Sequence, residues 1–116
     1  MSFEGKYRGI GKSVTQKGSR VKYFDATEEL VIIKLCRGIY SAHINYTNVQ
    51  DGEGSKVVTD SIDLVLTKSG DKLVSGSAGF CDFKFHGSKL LHTYSDIISN
   101  KGTMDAGIIV FSRVKR

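Results

Sequence analysis

The stretch Ile39–Leu66 reads IYSAHINYTNVQDGEGSKVVTDSIDLVL. Its first run, Ile39 to Val49, alternates: Tyr40, Ala42, Ile44 and Tyr46 share one face, and Ser41, His43, Asn45 and Thr47 share the other. Its second run, Val57 to Leu66, places Val58, Asp60, Ile62, Leu64 and Leu66 on one face. Successive side chains of an extended chain point to opposite sides, so period two marks a strand with one buried face. Between the runs, Asp51-Gly52-Glu53-Gly54 is a hairpin loop rich in residues that tolerate positive φ. This hairpin sets the class, and the flanking segments repeat it.

Toward the N-terminus, Phe3 to Lys12 also alternates, with Phe3, Gly5, Tyr7, Gly9 and Gly11 opposite Glu4, Lys6, Arg8 and Lys12. Three glycines on an inner face predict a strongly bent strand or a close backbone approach. Lys17-Gly18-Ser19 reads as a turn and Val21 to Asp25 as a second strand. Leu30 to Cys36 is β-branched and favours a strand, although Asp25 with Glu28 resembles a capping box and Gly38 a helix C-cap.

Toward the C-terminus, Ser69-Gly70-Asp71 turns the chain. Leu73 to Phe85 is a long strand, bent or bulged at Gly76 and Gly79, and His86-Gly87-Ser88 turns it again. In Lys89 to Ser99, Leu90, Leu91, Tyr94, Ile97 and Ile98 match a helix face. His92, Thr93, Tyr94 and Ser95 are poor helix formers, and strand is the preferred reading. Met104 to Val114 closes the series, with Met104, Ala106, Ile108 and Val110 on one face. About eight strands joined in order by short loops predict an all-β antiparallel up-and-down meander closed into a barrel, which removes both edges. The alternative is an α+β sheet with helices near 28–37 and 89–100.

The chain has 116 residues, one domain (1–116) by length, with 40% hydrophobic and 25% charged residues, as in a globular rather than a disordered chain. Ser2 to Lys12 carries charge and lacks the apolar run of a signal peptide, and no stretch is long and apolar enough for a membrane helix. Cys36 and Cys81 form no Cys-x-x-Cys pair. Two thiols in such a chain lead to the expectation of a reducing, cytoplasmic compartment. The net charge of +5 is concentrated at the two ends. Residues 1–22 hold six basic side chains against Glu4 alone, the last four residues hold Arg113, Lys115 and Arg116, and residues 23–112 are net acidic.

The two ends also resemble a calycin, the group that includes lipocalins, avidins and fatty-acid-binding proteins. Lipocalins open with Gly-x-Trp on the first strand, packed against an Arg from the last. Gly5-Lys6-Tyr7 stands in the place of the first, with Tyr for Trp, and Arg113 in the place of the second. The middle lipocalin motif has no counterpart. The resemblance covers about twenty residues and implies a barrel with a small-molecule cavity at one end.

Three functions follow as expectations. The first is binding of a small, largely apolar ligand inside the barrel, oriented by Tyr7, Tyr40, Tyr46, Asp60 or Tyr94. The second is an enzyme on the same scaffold, such as an isomerase or cyclase acting on a metabolite, with Asp60, His92 or Asp96 moving a proton. The third is a basic module for nucleic acid or an acidic partner, built on Lys6, Arg8, Lys12, Arg113 and Lys115 where the first and last strands meet. No metal is expected, because His43, His86, His92 and Cys81 lack the spacing of a zinc site. No cofactor is expected: Gly5-x-x-x-Gly9-x-Gly11 is not a phosphate loop, and Ser75-Gly76-Ser77 is not a nucleophile elbow.

Overall fold

A computed structural model describes the backbone of residues 2–52, 56–75, 80–98 and 102–114, and the side chains of all of these except 80 and 96–98. Eight strands are present: β1 (Gly5–Lys17), β2 (Arg20–Cys36), β3 (Ile39–Gln50), β4 (Val57–Ser69), β5 (Lys72–Ser75), β6 (Phe80–His86), β7 (Lys89–Ile98) and β8 (Thr103–Arg113). Each pairs antiparallel with its neighbours in the sequence, and β1 pairs with β8, closing the barrel. The up-and-down barrel expected from the alternation is the architecture seen.

Both segments with helical signals are strands. Leu30–Cys36 lies within β2 and Lys89–Ile98 is β7, so the α+β alternative is overturned. Each is flanked by strands that use its backbone donors and acceptors, and ladder bonding on both sides outweighs a local capping pattern. The division into strands also differs. Residues 20–36 form one strand of 17 residues, not two. The single strand expected over Leu73–Phe85 is instead β5 and β6, and the bends expected at Gly76 and Gly79 lie outside the described residues.

The inward register runs through Tyr7, Gly9 and Ser13 of β1; Ala26, Glu28, Leu30 and Ile32 of β2; Tyr40, Ala42 and Ile44 of β3; and Gly107, Ile109 and Phe111 of β8, all buried. Leu66, Leu73, Phe83, Leu90, Ile109 and Phe111 are wholly removed from solvent. They fill the middle of the barrel with side chains, as an eight-stranded barrel allows.

One end is plugged. Phe3 precedes β1 rather than belonging to it, and its ring stacks on Phe85 at 5.0 Å and meets Tyr40 edge-on at 6.1 Å. The turn into β1 is made at Gly5, whose φ of 145° disfavours a side chain and whose missing Cβ leaves room for the Arg113 guanidinium. Arg113 donates to the carbonyls of Glu4 (2.8 Å) and Ser2 and lies 4.9 Å from the Tyr7 ring centre. The first-strand ring and last-strand Arg of the calycin comparison are therefore in contact. Replacing Arg113 by Ala is expected to cost about 2 kcal/mol, from two charge-assisted bonds and a cation–π contact. Urea unfolding would show the loss, and amide exchange would rise over residues 2–7. Arg113→Lys should recover only part, because an ammonium lacks the forked donors.

Candidate functional site

The opposite end is built differently. β5 is four residues long and pairs with β4 only from Leu66 to Ser69. Among the described residues, the β4 edge from Val57 to Val65 has no ladder partner on the β5 side. The inner face of β4 is consequently reachable: Ile62 is 45% exposed and Asp60 is exposed, although both have inward register. Among the described residues, this end of the closed barrel is the more accessible one, and its exposed inner positions on β4 are termed the mouth.

Polar groups collect here. Glu28 lies opposite Tyr46 in the β2–β3 ladder, and Asp60 lies opposite Tyr46 in the β3–β4 ladder. Asn48 follows Tyr46 by two residues and so shares its face. Tyr94 of β7 lies opposite Gly107 of β8, and a Cβ on Gly107 would sit 2.5 Å from the Tyr94 ring. The missing side chain lets the ring lie across the β8 backbone, with its hydroxyl hydrogen-bonded to Ser13 of β1. Asp105 of β8 completes the group from the rim.

The electrostatics follow from burial with one sign of charge. Glu28 is only 5% exposed, and burial pushes its carboxyl up to about 7. Burial pushes the Tyr94 phenol up to about 12, with Glu28 and Asp105 adding to it against the Ser13 bond. Tyr46 is raised by burial and then by the charges of Asp60, Glu28 and Asp105. Three atoms are buried without a hydrogen-bond partner among the described residues: Glu28 Oε1, Asn48 Oδ1 and Asp105 Oδ1. All three are acceptors. An orphaned buried acceptor costs free energy unless a donor arrives.

His92 forms the floor below the mouth. It is buried, stacks on Phe83 at 4.1 Å and on Tyr94 at 5.5 Å, and places Nδ1 3.1 Å from the Asp82 carbonyl oxygen. Burial drives its pKa down to about 4, so at neutral pH it is uncharged and Nδ1–H donates to Asp82. Cys81 Sγ is 3.8 Å from the same nitrogen, and burial pushes its thiol up to about 12. It is a protonated core thiol, not a nucleophile. Glu28 is the group here whose titration lies where proton exchange at neutral pH is efficient.

The five residues expected to bind a ligand divide between the two ends. Tyr46, Asp60 and Tyr94 meet at the mouth. Tyr7 and Tyr40 belong to the plugged end, and Tyr7 spends its hydroxyl proton on the Phe3 carbonyl at 2.6 Å. Of the proton-transfer candidates, Asp60 is at the mouth with Oδ1 accepting the Ser61 amide, His92 is the floor, and the Asp96 side chain lies outside the described residues.

The basic patch is not assembled. Lys6, Arg8 and Lys12 are exposed on the outer face of β1, but Glu29 and Asp25 of β2 pair with Arg8 (3.6 Å) and Lys12. Ile10, 70% exposed, separates the last two. Arg113 turns into the plug, because its register matches Phe111 rather than the outer wall, and Lys115 lies outside the described residues. Nucleic-acid binding is not supported.

Glu28, Asn48 and Asp105 were not among the expected site residues. A signal for Glu28 exists: Ala26, Glu28, Leu30 and Ile32 alternate without a break once 20–36 is one strand. Asn48 continues the face of Tyr40 to Tyr46. Asp105 has no such signal, since β8 is apolar on both faces.

No family model and no curated protein sequence matches the chain. Among solved structures the fold is similar to that of an S-type phycobiliprotein lyase, CPES, from Guillardia theta, with 13% identity and a TM-score of 0.45 over 98% of this chain and 89% of that chain.

Proposed function

We propose that this protein binds a small molecule in the mouth of the barrel. The observation that carries this reading is the presence, among the described residues, of three orphaned, buried acceptors at the end where the inner face of β4 is exposed. A folded protein rarely leaves such groups unsatisfied, and a ligand that brings donors removes the cost. Ile44, Ile62 and the ring faces of Tyr46 and Tyr94 offer apolar contact beside them. The binding region is thus more polar than the apolar cup expected from the alternation, because the barrel's middle is already filled by its own side chains.

Native mass spectrometry of the purified protein, set against its denatured mass, tests the reading. The expected result is an extra mass of roughly a few hundred daltons that is lost on denaturation. No adduct, together with no shift of the Tyr46 and Tyr94 ring signals on screening small fragments by NMR, would remove the reading.

A further inference from the structure

The orphaned atoms at the mouth specify more than a vacancy for hydrogen bonds. We infer that the ligand is an organic cation, a protonated amine attached to a flat apolar body, whose N–H donors are taken up by Glu28, Asn48 and Asp105. This inference rests on the proposed binding function and names its ligand class.

Three features of the mouth point the same way. The unpartnered atoms are two carboxylate oxygens and an amide oxygen, so what is missing is donors and not acceptors. Among the described residues, the titratable groups that face this space are Glu28 from β2, Tyr46 from β3, Asp60 from β4, Cys81 from β6, His92 and Tyr94 from β7 and Asp105 from β8; His92, the one base among them, is uncharged at neutral pH, so none of them brings a positive charge. β1 contributes Ser13 and Thr15, which do not titrate in the working range. Lys17, Arg20, Lys22 and Lys56, the described basic residues of inward register at this end, are exposed at the rim, and none donates to the three orphaned atoms. Glu28 is 5% exposed, and a carboxylate so buried needs a compensating charge to be stable as an anion.

The acidic groups do not suit a metal ion. Among the described residues, no three His, Cys, Asp or Glu side chains converge as a metal site requires. They are spread around a ring that includes two tyrosines. An ammonium with three donors on a flat body meets spread-out acceptors, and the electron-rich faces of Tyr46 and Tyr94 favour a cation beside them. An anion would meet the Glu28 and Asp105 oxygens, and beside a neutral ligand Glu28 would keep its proton, so a cation is the ligand that draws both carboxylates into play.

The test uses three probes with one indole ring and different heads: tryptamine (ammonium), tryptophol (hydroxyl) and indole-3-acetate (carboxylate). Calorimetry gives affinities, and NMR of the Tyr46 and Tyr94 rings gives the place of binding. Tryptamine should bind at least about tenfold tighter than tryptophol, the range of a charge-assisted bond, and indole-3-acetate more weakly than either. Glu28→Gln should bring tryptamine down to the tryptophol level, and Asp105→Asn should weaken it by a smaller factor. Equal binding of all three probes, tight binding of indole-3-acetate, or tryptamine binding unchanged in both variants would overturn the cation while leaving a small-molecule site in place. Absence of binding by all three at millimolar concentration would overturn the site along with it.

Discussion

Gly11→Ala is expected to destabilise the barrel by about 4 kcal/mol, a large share of what holds a domain of this size together. Gly11 sits in the middle of the β1–β8 ladder, opposite Ile109, at the seam where the first and last strands close the barrel. A Cβ at this position would fall 1.9 Å from the Ile108 carbonyl oxygen and 2.8 Å from the Ile109 Cα. Both are backbone atoms, so no rotamer change relieves the clash and the strands themselves must separate. Gly9, one inward position earlier, lies under the Phe111 ring in the same way, and the inner glycines of β1 are the space into which the large residues of β8 fit. Thermal unfolding should show a fall of well over 10 °C. Gly18→Ala is the control. Gly18 has a positive φ of 59° but nothing within 4 Å of its Cβ, so only backbone strain of about 1 kcal/mol is expected. Equal effects at the two positions would show that strand conformation, and not the close approach at the seam, accounts for the inner glycines.

The second large effect is hidden in the native protein, because two buried groups oppose one another. Glu28 titrates at about 7 in the folded state against an ordinary 4.5. Between those values the folded protein keeps a proton that the unfolded chain has released, so its contribution to stability falls as pH rises and is fully lost above 7. His92 titrates at about 4 against an ordinary 6.5. Its contribution is complete above 6.5 and is lost as pH falls toward 4, since the unfolded chain then binds the proton that the buried ring refuses. Each effect amounts to about 3 kcal/mol over its window. The windows overlap from 4.5 to 6.5 with opposite slopes, so urea unfolding of the native protein should give nearly flat stability there. Glu28→Gln should unmask His92: stability then rises with pH across that window, and at pH 8 the variant exceeds the native protein by about 2 kcal/mol. His92→Phe keeps a ring on Phe83 and should unmask Glu28, giving stability that falls as pH rises to 7. A flat profile in both variants would mean that neither group is buried as described.

Much of the mouth was legible in the sequence, but not all of it. Tyr46, Asp60 and Tyr94 sit on alternating runs, and alternation places a residue on a face whether or not its neighbours are known. Glu28 was obscured by a local pattern. Asp25, Glu28 and Gly38 imitate the start and stop of a helix, and this divides a 17-residue strand at the point where its inward carboxylate lies. Asp105 was obscured by composition. Ile108 is 56% and Val110 41% exposed, while Ile109 and Phe111 are fully buried, so apolar residues line both faces of β8 and its pattern names no inside. The basic seam failed for a related reason. The first and last strands do lie side by side, but Arg113 has the parity of Phe111, which carries it into the plug.

What the sequence determined by itself is the all-β class, the turns at Gly18, Gly52, Gly70 and Gly87, and the inward faces of β1, β3 and β4, because period two and glycine-bearing turns are local properties of the chain. What only the tertiary structure decided is which end is plugged, which face of β8 is inside, and that Glu28, Asn48 and Asp105 each bury an oxygen with no partner among the described residues. These depend on the closure of β1 onto β8 and on how short β5 is, and both follow from the pairing of strands far apart in the chain, which local pattern does not encode.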